Sequence, residues 1–319
     1  MTLLLGADDL SSLIGVRAGI AALLEGFAAS PAAGPAPQRI RQALPAPGSI
    51  AVLLPGLLPG IPAYTVKVNA KYPGSDPAIR GVICLHDLHT GALLALLDSG
   101  YITAWRTGLS AALATHLLAR ADAPTLGVIG AGAQARVTLH GLASLRAVER
   151  VVVYDTDPDQ AVRAAETWRR AGLACSIAGD VREVPGTADM VVTATWSRTP
   201  LFEASRVRPG THVTSLGADE PGKNELDPQL LRLARLFVDD IDLAASSGAL
   251  AGTGLEPDDV AGTLSQVITG AVPGRNDAAD LTVYSPVGMP WQDLALSWAA
   301  YQAASQAGAG TDFDFQPSH

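Results

Sequence analysis

The sequence predicts an α/β protein whose second half folds as a doubly wound parallel sheet of the Rossmann kind. Three observations predict it. From Ala123-Pro124 onward, short apolar runs alternate with helical stretches, the pattern of a parallel sheet covered on both faces. A glycine turn, Gly130-Ala131-Gly132-Ala133-Gln134-Ala135, joins one such run to one such helix. The next run, VVVYD, ends in Asp155, about twenty residues on, the spacing of a dinucleotide fingerprint.

Taken in order, residues 7–29 predict a helix. Leu10, Leu13, Ile20, Leu23, Leu24 and Phe27 share faces, and Asp8 and Asp9 sit near the start, where the helix dipole favours acids. Residues 30–48, rich in Pro, Gly and Ala, predict a loop. Between 50 and 97 apolar runs alternate with turns. Pro55, Pro59 and Pro62 interrupt SIAVLLPGLLPGIPAY and argue for strand and turn rather than a membrane span. VICLH and ALLALLD flank DLHTG, which predicts a hairpin with Gly91 in its turn. ITAWRTGLSAALATHLLARA then predicts a long helix with Arg106 at its start. In the second half TLGVI, VVVYD, MVVTAT, HVTSLG and LFVDD predict strands. VTLHGLASL predicts a helix, and Pro158 suits the first turn of another. DLALSWAAYQAASQ predicts a last helix, which packs back on the first half.

Composition narrows the function. The chain has 319 residues, is 48% hydrophobic and carries a net charge of -9 without long charged runs. Length and apolar content suit two domains. With no cluster of Lys and Arg, nucleic acid is not an expected partner. The start MTLLLGADD lacks the basic segment of a signal peptide, and no run is long enough for a membrane helix. Cys84 and Cys175 read as two buried thiols, and a cytoplasmic, reducing compartment is expected. His86 and His89 lack the acidic or thiol neighbours of a metal site, and no metal is expected. HExxH, P-loop and G-x-S-x-G patterns are absent, which excludes the chemistries they carry.

The glycine turn fits a dinucleotide. Gly130 permits the tight turn, Gly132 lets backbone approach a pyrophosphate, and Ala135 replaces the third glycine while still allowing close packing. The helix opening at Ala133 and Gln134 offers its free N–H groups to the phosphates. Asp155 suits ribose hydroxyls and would repel a 2′-phosphate, and Thr156-Asp157 supplies no cation. NAD is therefore expected over NADP. Candidate chemical residues are Lys67 in YTVKVNAKYPGS, Arg106 beside Thr107 in ITAWRTG, and Asp219 in VTSLGADEPGK after a strand end. An Arg grips carboxylates, and an acid moves protons. On spacing alone each also reads as a surface or turn residue.

With these residues the chain resembles the ornithine cyclodeaminase/mu-crystallin family. The matching segments are PQRI, KVNAKYPG, LHTGALLALLDSGYITAWRTG, GVIGAGAQA, VVYD, THVTSLGADEPGKNELD, LFVDD and VGMPWQDLA. The resemblance implies a discontinuous α+β substrate-binding and dimerisation domain from residues 1–120 and 292–319, with a Rossmann NAD domain from 121–291 inserted, and a homodimer. It implies that Arg39, Arg106 and Lys67 bind the substrate carboxylate, with Asp219 and Lys67 catalytic. Thr107, Gly130, Gly132, Ala133, Gln134, Asp155, Lys223 and Gly288 would serve the cofactor. Ser75 and Pro286-Val287 depart from the family pattern, in segments that the resemblance puts at the pocket border.

Three activities share these residues. An amino-acid dehydrogenase or imine reductase would move hydride at the α-carbon of a small L-amino acid or a cyclic or acyclic imine. A cyclodeaminase would convert L-ornithine to L-proline and ammonia. A crystallin-like protein would bind the cofactor without turnover, although it would have no need of Asp219.

Overall fold

A short apolar strand, Thr2–Leu5 (β1), leads into the helix Ala7–Leu13 (α1). Asp9 closes its first turn by accepting the Gly6 N–H at 2.9 Å. The computed structural model describes residues 1–29, 39–72, 74–75, 77–220 and 222–315. The single helix expected over 7–29 is two. Ile14 is extended and buried, Gly15 is a poor helix former, and Val16–Ala29 (α2) departs at 85°. Of the loop expected over 30–48, residues 30–38 lie outside the described residues, as do Pro73 and Pro221 of the matching segments. Ile40–Ala43 is instead a strand (β2). Its side chains are mostly exposed, and pairing with Ile50–Gly56 (β3), from Ile40 opposite Leu53 to Ala43 opposite Ile50, fixes it.

Ala63–Lys71 (β4), Ile79–Asp87 (β5) and Leu93–Asp98 (β6) continue the antiparallel meander, with Gly91 in the β5–β6 turn at φ 74°. Pro55 lies in β3 beyond the end of β2, where its missing N–H breaks no ladder. Helix Ser99–Leu118 (α3) follows directly. It begins well before Arg106, which therefore sits in its interior and not at its start.

The next stretch is regular. Thr125–Ile129 (β7), Ala133–Leu145 (α4), Arg150–Tyr154 (β8), Pro158–Arg170 (α5) and Ala174–Ile177 (β9) alternate. Asp157 caps α5 by accepting the Asp159 N–H, with Pro158 in the first turn. Val184–Thr187 (α6), Met190–Thr193 (β10), His212–Ser215 (β11), Pro228–Leu233 (α7), Arg235–Val238 (β12), Ile241–Ser247 (α8), Val260–Thr263 (β13), Leu264–Ile268 (α9) and Thr282–Tyr284 (β14) complete it. The sheet is parallel throughout, in the order β13-β12-β14-β11-β10-β7-β8-β9. Alternate residues feed two cores. Val128, Val153, Met190 and Val192 pack with Leu139 and Trp168, while Ile129, Val191, Val213 and Val238 pack with Phe202 and Leu230.

The chain ends with Pro290–Ala307 (α10) and Thr311–Phe313 (β15). β15 closes the first sheet, ordered β15-β1-β6-β5-β4-β3-β2. Two compact units result, Met1–Arg106 with Met289–His319, and Thr107–Gly288. The division falls inside α3. Cys84 on β5 and Cys175 on β9 are free and only half-buried, not the buried thiols expected. For Cys175 the reason is that β9 is an edge strand with mostly exposed side chains. Among the described residues no single helix is long and apolar enough to cross a membrane.

Candidate active site

In the first unit, strand alternation turns Ala63, Thr65, Lys67 and Asn69 of β4 to the buried face. A lysine there needs a partner. Lys67 is 1% exposed, and its Nζ lies 2.6 Å from Asp293 Oδ2 on α10. The same carboxylate meets Arg106 of α3, with Nε 3.2 Å from Oδ1. Both are close contacts between opposite charges. Arg106 Nη1 donates to Gln292 Oε1 at 3.2 Å, and Lys67 donates to Thr103 Oγ1 at a long 3.4 Å. Burial is the main cause that brings the Lys67 amine down to about 7. Asp293 opposes the shift, while the charges of Arg106 and Arg39 add to it. Arg39, half-buried ahead of β2, thus acts on the same point. Lys67, Arg106 and Arg39 form a cationic cluster, one suited to an anion such as a carboxylate.

In the second unit the glycine turn lies beyond β7, whose neighbours β8 and β10 lead the strand order in opposite directions. Such a switch point is where parallel sheets bind ligands. Gly130 has φ 88°, and a Cβ there would lie 2.5 Å from the Ala194 carbonyl oxygen. Gly132 caps α4, has no side-chain partner, and faces open space where a Cβ would go. Ala133 and Gln134 supply the first turn of α4, and Ala135 is buried. These features fit a pyrophosphate at the helix N-terminus. Asp155 accepts the Ala131 N–H at 2.7 Å and the Asp157 N–H at 2.9 Å. A carboxylate so engaged keeps acceptor capacity for ribose. Thr107 holds a buried hydroxyl with no hydrogen-bond partner among the described residues.

Asp219 stands in the loop after β11, and Lys223 Nζ donates to its Oδ1 at 3.0 Å. Lys223 also lies 3.8 Å from Glu220 Oε1 and 4.5 Å above the Trp196 ring, itself half-exposed. Gly288, at φ 94°, donates its N–H to Asp239 Oδ2 at 2.6 Å, and Val287 donates to Oδ1 at 3.0 Å. Burial pushes the Asp239 carboxyl up, and these N–H groups oppose the shift.

The sequence reading passed over several of these residues. Gln292 and Asp293 sit in the quoted segment VGMPWQDLA. The sequence held no clear signal for them, because α10 also carries Ser297, Gln302, Ser305 and Gln306. Glu225, fully buried, accepts from Thr193 Oγ1, Thr195 N and Oγ1, Ser215 Oγ and Gly217 N at 2.6–2.8 Å. It ties together the carboxyl ends of β10 and β11, and with them the root of the Asp219 loop. Trp105, next to Arg106, stacks on Tyr101 at 5.3 Å. His86 stacks on Tyr64, and no group of three or more His, Cys, Asp or Glu that could hold a metal occurs among the described residues.

Comparison with known proteins places this architecture. The ornithine cyclodeaminase/mu-crystallin family matches residues 3–308. An iminosuccinate reductase of Paracoccus denitrificans is 33% identical over 239 residues, 74% of each chain. The structure of Thermococcus litoralis Δ1-pyrroline-2-carboxylate reductase with NADH and L-proline has a TM-score of 0.92 at 29% identity, covering 98% of this chain and 100% of that one. An archaeal alanine dehydrogenase dimer with bound NAD has a TM-score of 0.92 at 28% identity, covering 99% of both.

Proposed function

The chain belongs to the ornithine cyclodeaminase/mu-crystallin family, and on that premise we propose that it is an NAD-dependent oxidoreductase acting at the α-carbon of a small L-amino acid or the matching imine. The observation that carries this reading is the buried pair of Lys67 and Arg106, a docking point for a carboxylate. Nicotinamide supplies or accepts the hydride when bound. Lys67, Arg106 and Arg39 hold the substrate carboxylate, which fixes the α-carbon. With its amine near neutrality, Lys67 also exchanges a proton at working pH. Asp219 handles the proton of the amine or of an attacking water, and Lys223 keeps it in place. The N–H groups of the 130–134 turn take the pyrophosphate, Asp155 the ribose, and Thr107 and the Gly288 turn the remaining contacts.

Dehydrogenation or imine reduction is preferred to cyclodeamination, and NAD to NADP because Asp155 would face a 2′-phosphate. A homodimer is the proposed assembly, as in the archaeal alanine dehydrogenase, and a cytoplasmic location suits the two free thiols. The test is NADH formation from a panel of L-amino acids, and NADH oxidation with iminosuccinate, Δ1-pyrroline-2-carboxylate, and pyruvate plus ammonia. Stoichiometric cofactor turnover with one of these supports the reading. Catalytic L-proline from L-ornithine without net NADH assigns the cyclodeaminase instead. NADH binding with no turnover of any of them ends the enzyme reading.

A further inference from the structure

Asp293 has no part in the steps set out above, yet it is almost completely buried against both cations. Two adjacent cations out of water would repel each other, and the lysine would give up its proton to relieve the strain. A single carboxylate between them leaves one net positive charge. A substrate carboxylate then completes a neutral group of four, with Arg39 adding positive potential. Of its three protons Lys67 turns one to Asp293 and one, at a long 3.4 Å, to Thr103, and Arg106 Nη2 makes no hydrogen bond among the described residues. Their remaining donors stay available to an incoming anion.

We propose that Asp293 is a positioning residue that holds Lys67 and Arg106 side by side as cations with their donors turned to the substrate carboxylate. The proposal rests on the carboxylate-binding role given to the pair above. The groups facing Lys67 are Asp293 of α10, Arg106 and Thr103 of α3 and Arg39 ahead of β2, and Asn69 of β4 donates to the same Thr103 hydroxyl. Burial sets the direction in which the Lys67 amine moves, and Asp293 is the one group that opposes it.

The chain has only three lysines, Lys67, Lys71 and Lys223. Lysine labelled with 13C at Cε therefore gives three NMR signals, and Lys67→Arg identifies the one of interest. The full chain, with and without NAD, is titrated by pH. The wild-type Lys67 midpoint is expected near 7. Asp293→Asn should lower it by roughly one to two pH units, the effect of losing a close opposite charge. Asp293→Glu should restore it. Arg106→Gln should raise it, and this variant tests the coupling even where Asp293→Asn does not fold. Asp293→Asn should also raise KM for the carboxylate substrate by about tenfold or more, with NADH affinity unchanged. A Lys67 midpoint unmoved in both Asp293→Asn and Arg106→Gln overturns the proposal, as does one unmoved in Arg106→Gln where Asp293→Asn is unfolded. Midpoints that move as described in a protein that turns over no amino acid or imine support the charge coupling and refute the functional reading alone.

Discussion

In the proposed reading the two units meet their ligands by different physics. The first uses buried side-chain charge, with Lys67, Arg106 and Asp293 on three separate elements. The second uses backbone, with a positive-φ glycine, an open helix N-terminus and N–H groups freed by the turn. Desolvated charges are strong but unforgiving, since loss of one partner leaves the others uncompensated. Backbone donors tolerate most side-chain changes and fail chiefly when a Cβ fills their space. The first unit should therefore be sensitive to charge at constant shape, and the second to shape at constant charge.

The hardest test of that contrast is Lys67→Met. It should lower kcat/KM by about a thousandfold, roughly 4 kcal/mol, and lower stability by on the order of 3 kcal/mol because Asp293 loses a partner. NADH affinity should stay within about twofold, because Lys67 has no part in the proposed cofactor contacts. Equal loss of NADH binding would break the comparison. Next in size is an acid effect in the second unit. His212 is fully buried, and burial, aided by the Arg275 and Arg146 charges, holds its imidazole down at about 3. Between that value and the unfolded value of about 6.5 the unfolded chain binds the extra proton, so stability is complete above about 6.5 and declines as pH falls. Unfolding at pH 4 should be easier than at pH 7 by roughly 3 kcal/mol from this group. His212→Gln should flatten the difference, as read by Tm against pH.

Glu225→Gln should cost about 2 kcal/mol, since an amide cannot accept from all five donors. It should also weaken NADH binding, both followed by denaturation and fluorescence. Smallest is Gly132→Ala. The open space leaves Tm nearly unchanged, while the added methyl in the pyrophosphate approach lowers NADH affinity by about tenfold, roughly 1.4 kcal/mol. An unchanged affinity would show that the turn does not carry the phosphate.

What could be read beforehand follows the same divide. The second unit is local: β7, the glycine turn, α4 and β8 lie within one short stretch, and each step has its own periodicity or turn residue. The first is assembled from distant pieces. β1 pairs with β6 on one side and with β15 from the far end of the chain on the other. Neither its four residues nor the exposed β2 alternate enough to announce a strand. Lys67, Arg106 and Asp219 could be singled out by residue type and neighbours. Asp293 could not, because α10 is buried around most of its early turns and has no polar face against which an inward acid would stand out. Its meaning depends on partners that the linear order keeps far away.

Glu225 also has a consequence for how this scaffold changes over time. It accepts from Gly217 N–H, eight positions earlier, so the stretch between them is a ring fastened at its neck. Residues 218–224, Asp219 and Lys223 among them, can be exchanged as a cassette while the strands beneath keep their register. New chemistry can then arise by grafting that ring, without rebuilding the sheet.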